Sequence, residues 1–312
     1  MDAATRSVLA FPQSPYPTGW FQVGWSDQLL PKETKLLRYF GQDIVLWRTE
    51  SGRLQALDAY CLHLGGNLGV KGCVDGEDIV CPWHGWHWDG DGRNTQIPYD
   101  TQRCKSNLRI TAWPVCEWYG IIFVWHDRAG RAPLWPMPVL ERLGGYEYHP
   151  IEKDCWTIKA RVQNVMDNVA DPAHFVYVHG AAEMPNFIEH RFEEHHWKAK
   201  AEQTFGGDKP TWLTPNGAVT VTVDYLSFGI GTMMAFFPEL FGSGYYIGST
   251  TPIDDTHCDH WFTITTRRAT PPEFHRMIVE MQRKLTQMDF FTWENMKILD
   301  APNLTPEESK YM

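Results

Sequence analysis

The stretch that decides the fold runs Leu57-Asp-Ala-Tyr-Cys61-Leu-His63-Leu-Gly65-Gly66 and closes on Cys81-Pro-Trp-His84-Gly85-Trp-His-Trp88. Cys61 and His63 form one close pair, seventeen residues intervene, and Cys81 and His84 form a second. Two soft-ligand pairs, each on its own loop, can converge on one metal centre. Two readings compete. One is a structural zinc held by two thiolates and two imidazoles. The other is a [2Fe–2S] cluster with the thiolates on one iron and the imidazoles on the other. The spacing favours the second, because a Cys and a His two or three apart let one loop reach two irons. Gly65, Gly66 and Gly85 follow the pairs, as a backbone wrapped closely around sulfides requires.

Such a Rieske-type centre is less negative than a four-thiolate one, which raises its potential. Gly66 and Trp83 stand where a disulfide clamp between the loops would need cysteines, so the centre is expected to be of the soluble, lower-potential kind. Short β-forming runs flank the loops: Trp20–Gly24, Asp43–Arg48, Leu54–Leu57 and Gly120–Trp125, with a turn at Asp89–Gly92. Residues 1–130 therefore read as an all-β domain. The Pro-rich run Ala132–Pro138 marks a linker over 131–150, and residues 151–312 form a second, α+β domain.

Whole-chain arithmetic narrows the function. The 312 residues hold room for about two domains. A net charge of −10 leaves no basic surplus for nucleic acid. No apolar run approaches the ~18 residues of a membrane span. The opening residues show no basic segment followed by a long apolar one, so no secretory signal is expected. Seven cysteines, an odd number, read as reduced thiols or metal ligands in the cytoplasm. Fifteen Trp, sixteen Phe and twelve Tyr point to a large apolar interior able to hold an apolar ligand.

The second domain carries Asp167-Asn-Val-Ala-Asp171-Pro-Ala-His174-Phe-Val-Tyr-Val-His179. Two His near acids fit a two-His, one-carboxylate iron site. Residues 162–178 look helical. At about 100° per residue, Asp167, Asp171 and His174 share a face, but His179 lies about 140° from His174. A π-bulge or an early helix end is needed to bring the imidazoles together, and Pro172, by freeing the Asn168 carbonyl, would supply the kink. The third ligand must come from the long amphipathic helix expected over Glu273–Leu299, which opens with a capping-box pattern at Thr270-Pro-Pro-Glu273. Its apolar stripe runs through Phe274, Met277, Ile278, Met281, Leu285, Met288, Met296 and Leu299. Asp289 falls about 60° from Phe274, on the buried side, whereas Glu280 and Glu294 face solvent and Asp300 sits in the last turn. A buried carboxylate needs a partner, and a metal is one. Residues 228–246, with Met233, Met234, Phe236, Phe237 and Phe241, are a candidate pocket lining.

With these motifs, Ile97-Pro-Tyr99 and Asp289-x-x-x-Trp293 added, the chain resembles the oxygenase components of Rieske non-haem iron oxygenases. Among them it is most similar to the 3-ketosteroid 9α-hydroxylase oxygenase subunits. The likeness runs from about Trp20 to Asn303; the family pattern usually continues past Pro302, and this sequence ends at Met312. The resemblance implies a Rieske domain joined to a helix-grip catalytic domain around a deep apolar pocket. It also implies a head-to-tail homotrimer, with Asp171 bridging one subunit's mononuclear iron and its neighbour's cluster.

The activity so implied is hydroxylation of a steroid-like substrate with O2, using NADH electrons from a flavin and iron–sulfur reductase. The cluster would sit on Cys61, His63, Cys81 and His84, and the mononuclear Fe(II) on His174, His179 and Asp289. The same apparatus could desaturate or demethylate another bulky apolar substrate. A different class, a non-catalytic electron carrier with a lipid-binding domain, would leave the second iron site empty.

Overall fold

The computed structural model describes residues 15–297 except 101–103, 106 and 208–215, and beyond them residues 299, 302–306 and 308–310. The chain divides into two compact units. One holds residues 18–136 together with 251–255, the other residues 137–250 and 256–312.

The first unit is all β. β1 (Gly19–Trp25) pairs with β10 (Ile121–His126), which pairs with β9 (Val115–Trp118). β2 (Thr34–Tyr39), β3 (Gln42–Arg48) and β4 (Leu54–Asp58) form a meander. β5 (Cys73–Asp75), β6 (Asp78–Val80), β7 (His87–Trp88) and β8 (Asn94–Gln96) form a small sheet carrying the second Cys-His loop. β1 and β10 are buried along their whole length, so they read as continuous apolar runs rather than alternating ones. Beneath the two loops lies a core of Val45, Trp47, Leu57, Leu68, Ile79 and Trp88, closed by Cys61 and Cys81 themselves.

The Pro-rich run is no free linker. Trp135 packs edge-on against Trp125 at 4.7 Å and its carbonyl accepts the Trp20 indole N–H at 2.8 Å. Residues 137–150 go with the second unit, where His149 N–H donates to Thr266 O at 3.0 Å.

The second unit is a seven-stranded antiparallel sheet gripping one long helix. Its strands are β11 (Glu152–Ile158), β12 (Asn186–Glu193), β13 (His196–Phe205), β14 (Val219–Phe228), β15 (Thr232–Phe236), β16 (Tyr245–Pro252) and β17 (Cys258–Thr265), in the order β11-β17-β16-β15-β14-β13-β12. β13 shows why they form: Trp197, Ala199, Ala201 and Gln203 turn inward while Lys200 and Glu202 turn out, a period of two. Ile278 and Val279 of the helix α3 (Pro272–Trp293) pack on Val223, Ala235, Phe262 and Ile264. Two shorter helices, α1 (Val162–Val169) and α2 (His174–Tyr177), complete the unit. The α+β, two-domain architecture expected from the sequence is the one observed.

Two details of α3 differ from expectation. Thr270 does not cap it: the helix starts on Pro271 with Pro272 as its first residue, no side chain caps it, and the Thr270 hydroxyl donates to Gly242 O at 3.2 Å. A proline at the first turn removes a donor that would otherwise want a cap. The helix also ends at Trp293, so Met296 and Leu299 fall outside it and are exposed.

Candidate functional site

The two Cys-His loops are built alike. Cys61 N–H donates to Gly66 O at 2.9 Å and Gly65 N–H returns to Cys61 O at 2.9 Å; Cys81 N–H donates to Trp86 O at 2.8 Å and Gly85 N–H returns to Cys81 O at 3.0 Å. Gly65 (φ +75°) and Gly85 (φ +69°) occupy the left-handed region that lets each loop fold back over its cysteine. A Cβ on Gly66 would stand 3.0 Å from Cys81 Sγ and 3.5 Å from Trp83 Cβ. The glycine is thus a cradle, and the two positions where a disulfide clamp would sit are neighbours in space.

Cys61 and Cys81 are buried, and the His63 and His84 rings approach to 4.7 Å at 76°. His63 stacks on Trp86 at 4.5 Å, and the Trp86 indole donates to Tyr99 OH at 2.8 Å. Burial, with the Cys81 thiol alongside, pushes the Cys61 thiol up to about 11. Such a thiol is protonated at neutral pH, and a metal cation bound to it would displace that proton. Both histidines are half-exposed while both cysteines are buried, so the histidine side is the more open edge of the pair.

The second constellation also converges. α1 stops at Val169, and α2 begins at His174. The Asn168 carbonyl is not left free; it accepts Asp171 N–H at 3.4 Å. α2 lasts four residues, and beyond it the chain turns at Gly180 (φ +68°) with Ala181 N–H on Phe175 O at 2.9 Å. That early end solves the 140° problem: the His174 and His179 rings meet at 5.1 Å. His179 Nε2 lies 3.4 Å from Asp289 Oδ1, and one ligand atom from each of His174, His179 and Asp289 falls within 4.8 Å of the others. Asp289 Oδ1 and His179 Nδ1 are buried without a hydrogen-bond partner, an arrangement that costs free energy unless something fills it. Glu280 and Glu294 are exposed, and Asp300 lies outside the described residues.

Asp289 lies on the buried face of α3, as its helix angle implied, but the centre of that face is elsewhere. The buried residues of α3 are His275, Ile278, Val279, Thr286, Asp289 and Trp293, centred about 90° around from Phe274 rather than near it. Met277 is exposed and Met281, Leu285 and Met288 are half-buried. Counting apolar residues fails here because the buried face is partly polar.

Asp171 meets His174 through its backbone. Its backbone carbonyl, not its carboxylate, takes the His174 Nδ1 hydrogen bond at 2.5 Å. Carboxylate Oδ1 accepts Ala173 N–H at 2.8 Å and Oδ2 stands 3.8 Å from His174 Nδ1. The carboxylate is drawn to the exposed N–H groups at the start of α2. Sequence reading gave Asn168 no role, yet its amide lies 3.3 Å from His174 Nε2.

The triad lines a cavity of about 750 Å³ whose wall is mainly apolar side chains, including Met233, Phe237 and Phe241. Met234 and Phe236, expected in the same lining, turn to the other face of β15, as strand alternation requires. Polar groups also reach the cavity: Gln203, Tyr225, Tyr246, His260 and Thr286.

Comparison with known proteins places this arrangement. Residues 19–114 match the Rieske [2Fe-2S] domain, and residues 124–312 match the 3-ketosteroid 9alpha-hydroxylase C-terminal domain. The chain belongs to the Rieske oxygenases of the 3-ketosteroid 9α-hydroxylase type. This Rieske oxygenase is 28% identical to a cholesterol 7-desaturase of Ciona intestinalis over 94% of its own length and 66% of the relative's. It is 36% identical to a probable 3-ketosteroid-9-alpha-monooxygenase oxygenase component of Rhodococcus rhodochrous, over 59% of its own length and 46% of the relative's. It thus spans two thirds or less of those proteins. Among solved structures, dicamba monooxygenase superposes with a TM-score of 0.68 at 20% identity, covering 88% and 86% of the two chains. Pseudomonas putida CBB5 NdmA with caffeine gives 0.72 at 16%, covering 93% and 86%. These likenesses establish the fold. Rieske oxygenases carry a [2Fe–2S] cluster and a mononuclear iron, and the buried thiols, the glycine cradle and the orphaned Asp289 oxygen fit both groups. Among the described residues, no helix is long and apolar enough to cross a membrane.

Burial pushes His174 and His179 down to about 4 and Asp289 up to about 7. The imidazoles are therefore neutral at physiological pH, while Asp289 is only partly ionised there, so a bound cation would draw off its remaining proton. The linkage has two limbs in metal-free protein. The raised Asp289 contributes stability at low pH that is lost as pH rises through about 7. The depressed histidines contribute stability above 6.5 that is lost as pH falls towards about 4. The two limbs oppose each other between about pH 4 and 7 and both level off above it, so the melting temperature of metal-free Asp289→Asn should climb more steeply with pH across that range than that of metal-free wild type. Equal slopes in the two proteins would assign the titration to another group.

Proposed function

We propose that the chain is the terminal oxygenase component of a Rieske monooxygenase system that hydroxylates a steroid-like apolar substrate with O2. The observation that carries this reading is the buried His174–His179–Asp289 triad opening on the 750 Å³ apolar cavity. Cys61, His63, Cys81 and His84 would hold the cluster, and His174, His179 and Asp289 the mononuclear iron. The overall change is RH + O2 + 2e⁻ + 2H⁺ → ROH + H2O. When bound, the two iron centres supply single electrons and open coordination positions for O2. The chain's own work is to present two neutral imidazoles and one carboxylate on one side of that position, and to hold the substrate in a space that excludes water. The electrons would come from NADH through a flavin and iron–sulfur reductase meeting the exposed histidine edge of the cluster loops. A cytoplasmic homotrimer, with Asp171 linking one subunit's iron site to the next subunit's cluster, completes the proposal.

Desaturation of a sterol is the second reading, favoured by a cholesterol 7-desaturase relative that aligns over 94% of the chain. Mass spectrometry of products from a panel of steroid ketones and sterols separates the two: gain of one oxygen against loss of two hydrogens. Unchanged substrate throughout the panel, with both iron centres filled, defeats both. A carrier without oxygen chemistry would hold about two irons per chain, against about three for the oxygenase.

Cys81→Ser tests the cluster assignment separately. The red-brown absorbance should vanish and the first unit should lose stability, since its two loops lose their common anchor. A variant that keeps its colour returns Cys81 to the core.

A further inference from the structure

The cavity wall beside Asp289 contains a polar chain that neither metal site requires. His260, almost wholly buried at 3% exposed, has Nδ1 at 3.0 Å from Thr250 Oγ1 and Nε2 at 3.4 Å from Tyr246 OH. The Thr286 hydroxyl, one turn of α3 before Asp289, points at the same phenolic oxygen from 3.5 Å. A buried imidazole is expensive unless its nitrogens are bonded, so the tight Thr250 contact fixes this ring. With Thr250 donating to Nδ1, the Nε2 proton faces the Tyr246 oxygen, which also receives the Thr286 hydroxyl. The phenol's own proton is then left for the cavity that Tyr246, His260 and Thr286 all line. The other polar pair in the wall differs: the Gln203 amide donates directly to Tyr225 OH, so each largely satisfies the other.

Space is made for this hydroxyl. A Cβ on Gly248, two residues along β16 on the same face, would stand 2.7 Å from Tyr246 OH. Real side chains do not approach so closely, so the phenol can occupy its place only because residue 248 is glycine. A tyrosine whose hydroxyl is oriented by two donors, and for which a neighbour has given up its side chain, is built to present a proton.

We propose that Tyr246 is a specificity-determining residue: its hydroxyl donates a hydrogen bond to an oxygen substituent, carbonyl or hydroxyl, of the apolar substrate. The enzyme thereby selects oxygenated steroids over their hydrocarbon skeletons. The proposal rests on the steroid reading given above and names the group on the substrate that is recognised. Discrimination of this kind follows from the cost of leaving a buried donor unpaired beside a hydrocarbon.

The test is equilibrium binding, followed by tryptophan fluorescence on iron-loaded protein under anaerobic conditions, so that no turnover is required. The probes are 5α-androstan-3-one, 5α-androstan-17-one and 5α-androstane. Wild type should bind at least one ketone about tenfold more tightly than the hydrocarbon, the size of one neutral hydrogen bond. Tyr246→Phe should lose that advantage while binding 5α-androstane as before, and Gly248→Ala should do the same by displacing the phenol. Equal weakening of all three probes by Tyr246→Phe, or no change in any, overturns the proposal. Failure of wild type to bind any of the three overturns the steroid reading itself, and the proposal falls with it.

Discussion

Asp289→Ala should leave the absorbance of the iron–sulfur cluster intact and remove the mononuclear iron. Iron per chain falls from about three to about two, and product formation falls by roughly a thousandfold or more. The reason is geometric. His174 and His179 alone offer two ligands from one short segment, and the carboxylate that closes the site comes from a helix more than a hundred residues later. The loss should not be confused with unfolding. Asp289 is a buried carboxyl held well above its ordinary range, so its removal relieves a cost in metal-free protein above pH 7 rather than adding one. Metal-free Asp289→Ala should therefore melt no lower than metal-free wild type at pH 8. If the variant keeps all its iron and its activity, the third ligand lies elsewhere.

Asp171→Asn should do the opposite: keep every iron and lose the reaction. An asparagine retains the volume and the oxygen that accepts Ala173 N–H, so α2 should start where it does now. The His174 bond to the residue 171 backbone carbonyl is untouched by the change. What disappears is the negative charge, with one oxygen 3.8 Å from His174 Nδ1 and the side chain partly open to solvent. If that charge holds imidazoles of two subunits in register, transfer between the centres fails. The reduced cluster should then persist after substrate and O2 are added, and turnover should fall by about a hundredfold or more. Rapid-mixing spectroscopy of the cluster's reoxidation reads this directly. A variant reoxidised and turning over near the wild-type rate makes Asp171 an ordinary cap of α2.

The sites were legible in the sequence to the extent that their geometry is local. Cys61 with His63, and Cys81 with His84, sit on loops whose turn is closed within five residues, so spacing and glycines carry the reading. The distance around a helix between His174 and His179 was enough to demand a break, and the break is there as the end of α2 after four residues. Periodicity put Asp289 on the buried side, where the structure also has it, although the apolar stripe used for this was rotated. His275 and Thr286 on the same buried face are polar, and a count of apolar residues passes over them. What stayed hidden depends on long-range packing. Thr270 has every local mark of a cap but answers to Gly242 across the fold. Tyr246 and His260 lie on strands buried along nearly all their length, where a polar residue aimed at a cavity and one satisfied in a core look alike until the sheet is assembled.

The most direct test of the account is a single turnover. Protein with both iron centres filled is reduced chemically, freed of reductant, and exposed to a steroid ketone under ¹⁸O2, and the products are weighed by mass spectrometry. The account predicts reoxidation of the cluster together with one ¹⁸O atom in the product, or loss of two hydrogens if the enzyme is a desaturase, with neither outcome in Asp289→Ala. Reoxidation of the cluster with every steroid in the panel recovered unchanged would contradict it.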